Sequence, residues 1–141
     1  MSVDRNGLQV LSRDECLDLL SQATLGRVAV SIAALPVVLP VHYGVFDGDV
    51  VFRTVEGTKL TGAVTNAVVA FEVDDIDDGG VGWSVLVVGR AEIVDDPVER
   101  AAAEEAIPPS WLPVAADHVV RVRGDVVSGR RIVRVAAGAG V

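Results

Sequence analysis

The sequence is short of almost everything that builds a conventional catalytic centre. It holds one cysteine, Cys16, and two histidines, His42 and His118, far apart in its 141 residues. A lone cysteine cannot close an internal disulfide, which agrees with a reducing compartment. No Cys or His grouping has zinc spacing. No Walker A stretch and no G-x-G-x-x-G turn joins a strand to a helix. Asp74, Asp75, Asp77 and Asp78 lack the spacing and closing glutamate of a calcium loop, and read as a solvated charge run. No apolar run reaches the ~18 residues that cross a membrane. Met1–Gly7 carries Asp4 and Arg5 and has no signal-peptide core. A cytoplasmic protein with no membrane partner is expected. Bases are scarce as well, 12 against 20 acids for a formal charge of −8, which argues against general nucleic-acid binding. Any redox chemistry must then come from a bound cofactor.

Aromatics make up only 4%, so Val, Leu, Ile and Ala must build the core. Valine is stiff at χ1 and packs well on a pleated surface, which favours strands. Ser12 and Glu15 have capping-box spacing and open a helix carrying Cys16, Leu17, Leu19 and Leu20, fading near Thr24. Cys16, one turn before Leu20, packs rather than reacts. The spacing predicts strands over Arg27–Ala34, Val37–Phe46 and Val50–Thr54, with Asp47-Gly48 as a hairpin turn. A short helix is expected over Thr61–Asn66, a strand over Val68–Val73, a polar loop over Asp74–Gly80 and a long strand over Trp83–Val94. Asp95-Asp96-Pro97 opens a helix that ends before Pro108-Pro109. Trp111 then anchors a connection to closing strands over His118–Val122 and Arg130–Val135. The chain reads as one domain, 1–141, flexible over 1–10 and 136–141. Six or seven closely spaced strands with few helices predict a mainly β fold, a barrel rather than βαβ units.

One local constellation has a chemical rationale. Phe52-Arg53-Thr54-Val55-Glu56-Gly57-Thr58-Lys59-Leu60 takes the chain from a strand end through a glycine turn into a helix. Free amides, hydroxyls, a guanidinium and an ammonium near one point suit a phosphate group. A solvated turn with incidental charges is the other reading.

Further motifs follow in a familiar order: Val37-Val38-Leu39-Pro40-Val41-His42-Tyr43, Val51-Phe52-Arg53-Thr54, Gly57-Thr58-Lys59-Leu60, Val69-Ala70-Phe71-Glu72-Val73 and Gly82-Trp83-Ser84-Val85-Leu86-Val87-Val88-Gly89-Arg90-Ala91. From about Leu11 to Val135 the series resembles the pyridoxamine 5′-phosphate oxidase-like flavin-binding split barrels, in particular their small actinobacterial-type members. The resemblance implies a homodimeric split β-barrel of six or seven strands, with an N-terminal helix and one or two short helices, binding FMN between subunits. It implies that Arg53 and Lys59 pair with the flavin phosphate and that Thr54 and Thr58 add hydrogen bonds. Val38, Leu39, Pro40 and Val41 would offer backbone groups to the ring, and Ser84 would lie near it, beside Trp83. Trp83 would either stack near the ring or fill the subunit interface. Relatives that bind F420 or haem make those the alternative cofactors.

The implied activity is flavin-mediated hydride transfer to a small molecule. The alternatives are an F420-dependent reductase and a flavin or haem carrier or sensor without turnover. The chain ends Gly129-Arg130-Arg131-Ile132-Val133-Arg134-Val135 and lacks the oxidase's C-terminal aromatic-and-arginine signature, so pyridoxamine-phosphate oxidation itself is not expected. His42 could donate a proton or ligate haem, against the plainer reading of a strand histidine. Arg90 is expected to pair with a carboxylate. Arg121, Arg123, Arg130, Arg131 and Arg134 balance the acids, and one of them could reach a partner's cofactor.

Overall fold

A computed structural model describes residues 2–55, 57–109 and 118–133. Glu56, Trp111, Arg134, the tail from Ala136 and the end of the expected last strand lie outside these residues. In chain order the elements are β1 (Ser2–Val3), β2 (Gln9–Val10), α1 (Arg13–Leu20), β3 (Leu25–Ile32), β4 (Leu35–Phe46), β5 (Asp49–Thr54), α2 (Lys59–Val64), β6 (Val68–Ile76), β7 (Gly82–Ile93), α3 (Pro97–Ala106), β8 (His118–Val122) and β9 (Val126–Ile132).

Six antiparallel strands close a ring in the order β7-β6-β3-β4-β5-β8, and β8 returns to β7. Strands β9, β2 and β1 extend the sheet from the same β7. The expected mainly β barrel is therefore present, with three more strands and three short helices among the described residues. Strand β7 serves both parts because its outer edge changes partner. It pairs with β9 over Gly82–Val88 and with β8 over Ala91–Ile93. Gly89 lies at the handover, where a β-carbon would run into the Arg123 carbonyl.

Two-residue alternation fills the barrel. Val28 and Val30 on β3, Phe71 and Val73 on β6, and Val85 and Val87 on β7 all point inward and are buried. Tyr43 packs edge-on against Phe71, with centroids 4.8 Å apart, and its hydroxyl donates to the Leu20 carbonyl at 2.5 Å. That bond ties α1 to the barrel. Both arms of the α1 capping box form: the Glu15 amide donates to Ser12 Oγ at 3.2 Å and the Ser12 amide to Glu15 Oε1 at 3.1 Å. Cys16 is fully buried, and desolvation pushes its thiol pKa up, so it packs.

The outer faces of β5 and β8 are covered by α3, through Val51, Val94, Ala103, Ile107 and Val119. Pro97 starts that helix and the Asp96 side chain caps it, as the sequence predicts. Beside it, Arg121 is buried over the Phe46 ring at 4.9 Å and donates to Asp49 at 2.6 Å and Glu99 at 2.7 Å. Arg123 pairs with Asp49 and Glu92, and Arg130 with Asp4 at 2.9 Å. These arginines serve the fold. Arg90 departs from its expected ion pair by donating its guanidinium to the Asn66 carbonyl at 3.2 Å.

Several boundaries move. The β3–β4 turn is Ala33–Ala34, so β3 ends before the expected Ala34 and β4 begins before the expected Val37. The N-terminal residues, expected to be loose, carry β1 and β2, and β2 pairs with β9. The expected loop over Asp74–Gly80 begins later, because β6 continues to Ile76. Strand β9 runs over Val126–Ile132 rather than Arg130–Val135.

Candidate functional site

Strand β4 changes partner along its length. Residues Leu35–His42 pair with β3, and Tyr43–Phe46 pair with β5. The first stretch therefore has an open edge among the described residues. Pro40 sits opposite Arg27 and Pro36 opposite Ser31. Proline has no N–H, so neither can make the two-bond exchange of a hydrogen-bonded pair. Val38, opposite Ala29, shares their parity. Its N–H and C=O must therefore face the open edge rather than β3. That is a ready donor–acceptor pair on a strand.

The same parity sorts the four expected ring-facing residues. Val38 and Pro40 are exposed on the outer face, while Leu39 and Val41 pack against the barrel core. Only the first two can offer side chains to a ligand outside. Trp83 and Ser84 divide likewise. The Trp83 side chain belongs to the buried core, so within one chain it fills the barrel rather than an outer groove. Ser84 points outward between Asp74 and Arg130.

The strand-to-helix turn brings its hydroxyls together. Thr58 caps α2 by accepting from the Thr61 amide at 3.2 Å, and its hydroxyl donates to the Val55 carbonyl at 2.9 Å. Thr61 donates to the same carbonyl at 2.8 Å and lies 3.2 Å from the buried Thr54 hydroxyl. Thr61 was not among the expected site residues; its signal is the three-residue step from the cap. Lys59 opens α2 with an exposed side chain, and Gly57, at φ 78°, leaves the turn unobstructed.

Arg53 does something else. Its neighbours Phe52 and Thr54 face the interior, so Arg53 faces α3. There its guanidinium donates to the Pro108 carbonyl at 3.3 Å and the Glu104 carbonyl at 3.4 Å, satisfying the end of that helix. The expected pair of phosphate cations is thus split in use: Lys59 stands at the turn and Arg53 holds α3.

The outer face beside Val38 is apolar, with Ala29, Ala70 and Leu86 around a cavity of about 260 Å³. Arg27 borders it, donating to Glu72 at 2.9 Å and Asp74 at 3.2 Å. Burial and the Asp74 carboxylate push Glu72 up to about 7, against the pull of Arg27. From sequence Asp74 read as part of a solvated charge run, and its meeting with Arg27 and Glu72 was not legible, since 45 residues separate Arg27 from Glu72.

An open strand edge, an apolar outer face and a cationic threonine turn thus lie on one antiparallel barrel. The pyridoxamine 5′-phosphate oxidase family model matches residues 12–131. The chain belongs to that family. An FAD-binding protein from Mycobacterium smegmatis has 39% identical residues and a TM-score of 0.77, over 88% of this chain and 99% of that one. An FAD-binding protein from Mesorhizobium loti is 26% identical with a TM-score of 0.75, over 89% of this chain and 99% of that one. An uncharacterized protein of Mycobacterium tuberculosis is 41% identical over 129 residues, covering 87% of this chain and 84% of its own. Among the described residues no helix is long and apolar enough to cross a membrane.

Proposed function

We propose that the chain binds FMN between two identical copies and passes hydride through the flavin to a small molecule. The observation that carries this reading is the open β4 edge at Val38, whose N–H and C=O stand beside an uncovered apolar sheet face. A flavin ring needs such a combination, an apolar surface for its plane and a donor–acceptor pair for its polar edge. Lys59 and Thr58 would hold the phosphate, with Thr54 steadying the turn through Thr61, and Ser84 would border the ring. Bound flavin supplies the hydride chemistry; the chain binds it, orients it and excludes water from one side. The small-molecule partner would approach the other side. FAD is the second reading, favoured by the FAD-binding relative from Mycobacterium smegmatis.

Absorbance and mass spectrometry of whatever cofactor the native protein releases test this directly. FMN is expected, FAD selects the second reading, and failure of flavin-free protein to take up either in a titration overturns both. A haem band or F420 uptake instead would redirect the assignment, and absence of turnover with a nicotinamide donor would leave a carrier. Lys59→Ala removes an exposed charge worth about 1.5–3 kcal/mol in a charged hydrogen bond, so flavin affinity should fall roughly 10–100-fold with little change in melting. Arg53→Ala should lower the melting temperature even without flavin, because two helix-end carbonyls lose their donor.

A further inference from the structure

The outer face of β4, β3, β6, β7 and β9 carries the exposed side chains Leu25, Val38, Val68, Ile76, Leu86 and Val126. Among the described residues no helix covers it. By contrast α3 covers β5 and β8, while α1 and α2 turn their apolar residues into the main core. Five strands at ~4.8 Å and about four outward residues each at ~6.7 Å span on the order of 650 Å² in projection. That approaches the ~800 Å² per partner of a stable interface. Its size and its place on a closed barrel point to a second copy as the occupant, through a self-complementary twofold contact that would also close over the flavin proposed beside Val38.

Within this face one cation meets two carboxylates. Arg27 on β3 donates to Glu72 and Asp74 on β6, leaving one negative charge uncompensated. The other charged groups nearby are engaged or set aside. Arg90 on β7 turns to the Asn66 carbonyl, Arg130 on β9 is held by Asp4, and His42 lies on β4 opposite Leu25. Leu86 is the cross-strand neighbour of Glu72 on β7. A second copy laid over these groups would strip away the water that now offsets the excess charge.

We propose that the Arg27–Glu72–Asp74 triad makes the pairing of two copies proton-dependent, the contact closing with one proton held between the two carboxylates of each copy. This rests on the homodimer proposed above. The sign follows from desolvation. Burial and the Asp74 carboxylate already push Glu72 up to about 7 in the single chain, and covering it pushes it further the same way. Above that pH the dimer binds more protons than two separate chains, and the protons leave to solvent on dissociation. The dissociation constant therefore rises with pH, by at most about 100-fold per pH unit for two protons.

Sedimentation velocity on the full chain, diluted in series at pH 6.0, 7.5 and 8.5 and constant ionic strength, reads this out. The parent should dissociate at least about tenfold more readily at pH 8.5 than at pH 6.0. Glu72→Gln, neutral at every pH, should stay tight and flat, which also separates Glu72 from His42. Asp74→Asn removes the same charge excess and serves if the first variant does not fold. A parent dimer whose affinity ignores pH, or a Glu72→Gln dimer that keeps the parent's slope, overturns the proposal and leaves the homodimer standing. A flavin-loaded monomer at every pH would remove the homodimer itself.

Discussion

Ala33 and Ala34 join β3 to β4 with backbone φ of 50° and 64°, both in the left-handed region. The flanking pair is Ile32 opposite Leu35, so these two residues are the whole turn. Such a two-residue turn prefers Asn-Gly, because an L-residue with a β-carbon is strained there by about 1–2 kcal/mol. Replacing Ala34 with glycine relieves that strain but loosens the unfolded chain by about 0.4–1 kcal/mol, for a net gain of about 0.5–1 kcal/mol. Ala33→Asn adds roughly half a kcal/mol, since asparagine tolerates this region. The double variant should gain about 1–1.5 kcal/mol, raising the melting temperature by about 3–7 °C. Circular dichroism melts at fixed protein concentration would measure it, because any dimer makes the midpoint concentration-dependent. Ala33→Val should move the midpoint down, as a β-branched side chain fits this conformation worse. An Ala34→Gly midpoint at or below the parent's would refute the reasoning.

Two further perturbations probe how the outside of the barrel is fastened. Asp49 accepts from Arg121 at 2.6 Å and from the Gly124 amide at 2.7 Å, so Asp49→Ala leaves a buried guanidinium with Glu99 as its one carboxylate partner among the described residues. Breaking such a pair should cost about 3 kcal/mol, visible as a lower urea midpoint; a loss under about 1 kcal/mol would place the network among ordinary surface pairs. At Gly44 a β-carbon would collide with the Ala106 carbonyl, so Gly44→Ala should lift the end of α3. Hydrogen exchange over Pro97–Ala106 should quicken in that variant, and unchanged protection would show that the helix yields without detaching.

What could be read from sequence was whatever a few neighbouring residues decide among themselves. Ser12 with Glu15, Asp47-Gly48 and Asp96-Pro97 each bring their own local chemistry, and all three form as expected. The Ala33–Ala34 turn carries no turn chemistry at all; pairing of Val28, Val30 and Ile32 with β4 imposes it. Strand β9 was expected only from Arg130, yet it runs through Gly129, which is needed because a β-carbon there would press on the Cys16 sulfur. In the site, the segments were legible and the facing of their side chains was not. Motif order located Val38 to Val41 but could not say that alternate residues turn inward. Arg53 looked available because its acceptors on Glu104 and Pro108 lie more than fifty residues away. Trp83 was read with its chain neighbour Ser84, although neighbours on a strand face opposite sides.

The prolines at 36 and 40 also govern which associations are open to the molecule. An unpaired strand margin invites a foreign strand to zip onto it, the first step toward fibrous aggregates. Here that margin has two of its rungs missing, and at the far end of the sheet β1 is only two residues long. Lateral stacking of strands is thereby blunted along the β4 margin and at β1, which favours broadside contact as the way molecules meet there. A segment that can satisfy a small ligand's hydrogen bonds while refusing a neighbouring polypeptide is a selective margin, and replacing its prolines would put that selectivity at risk.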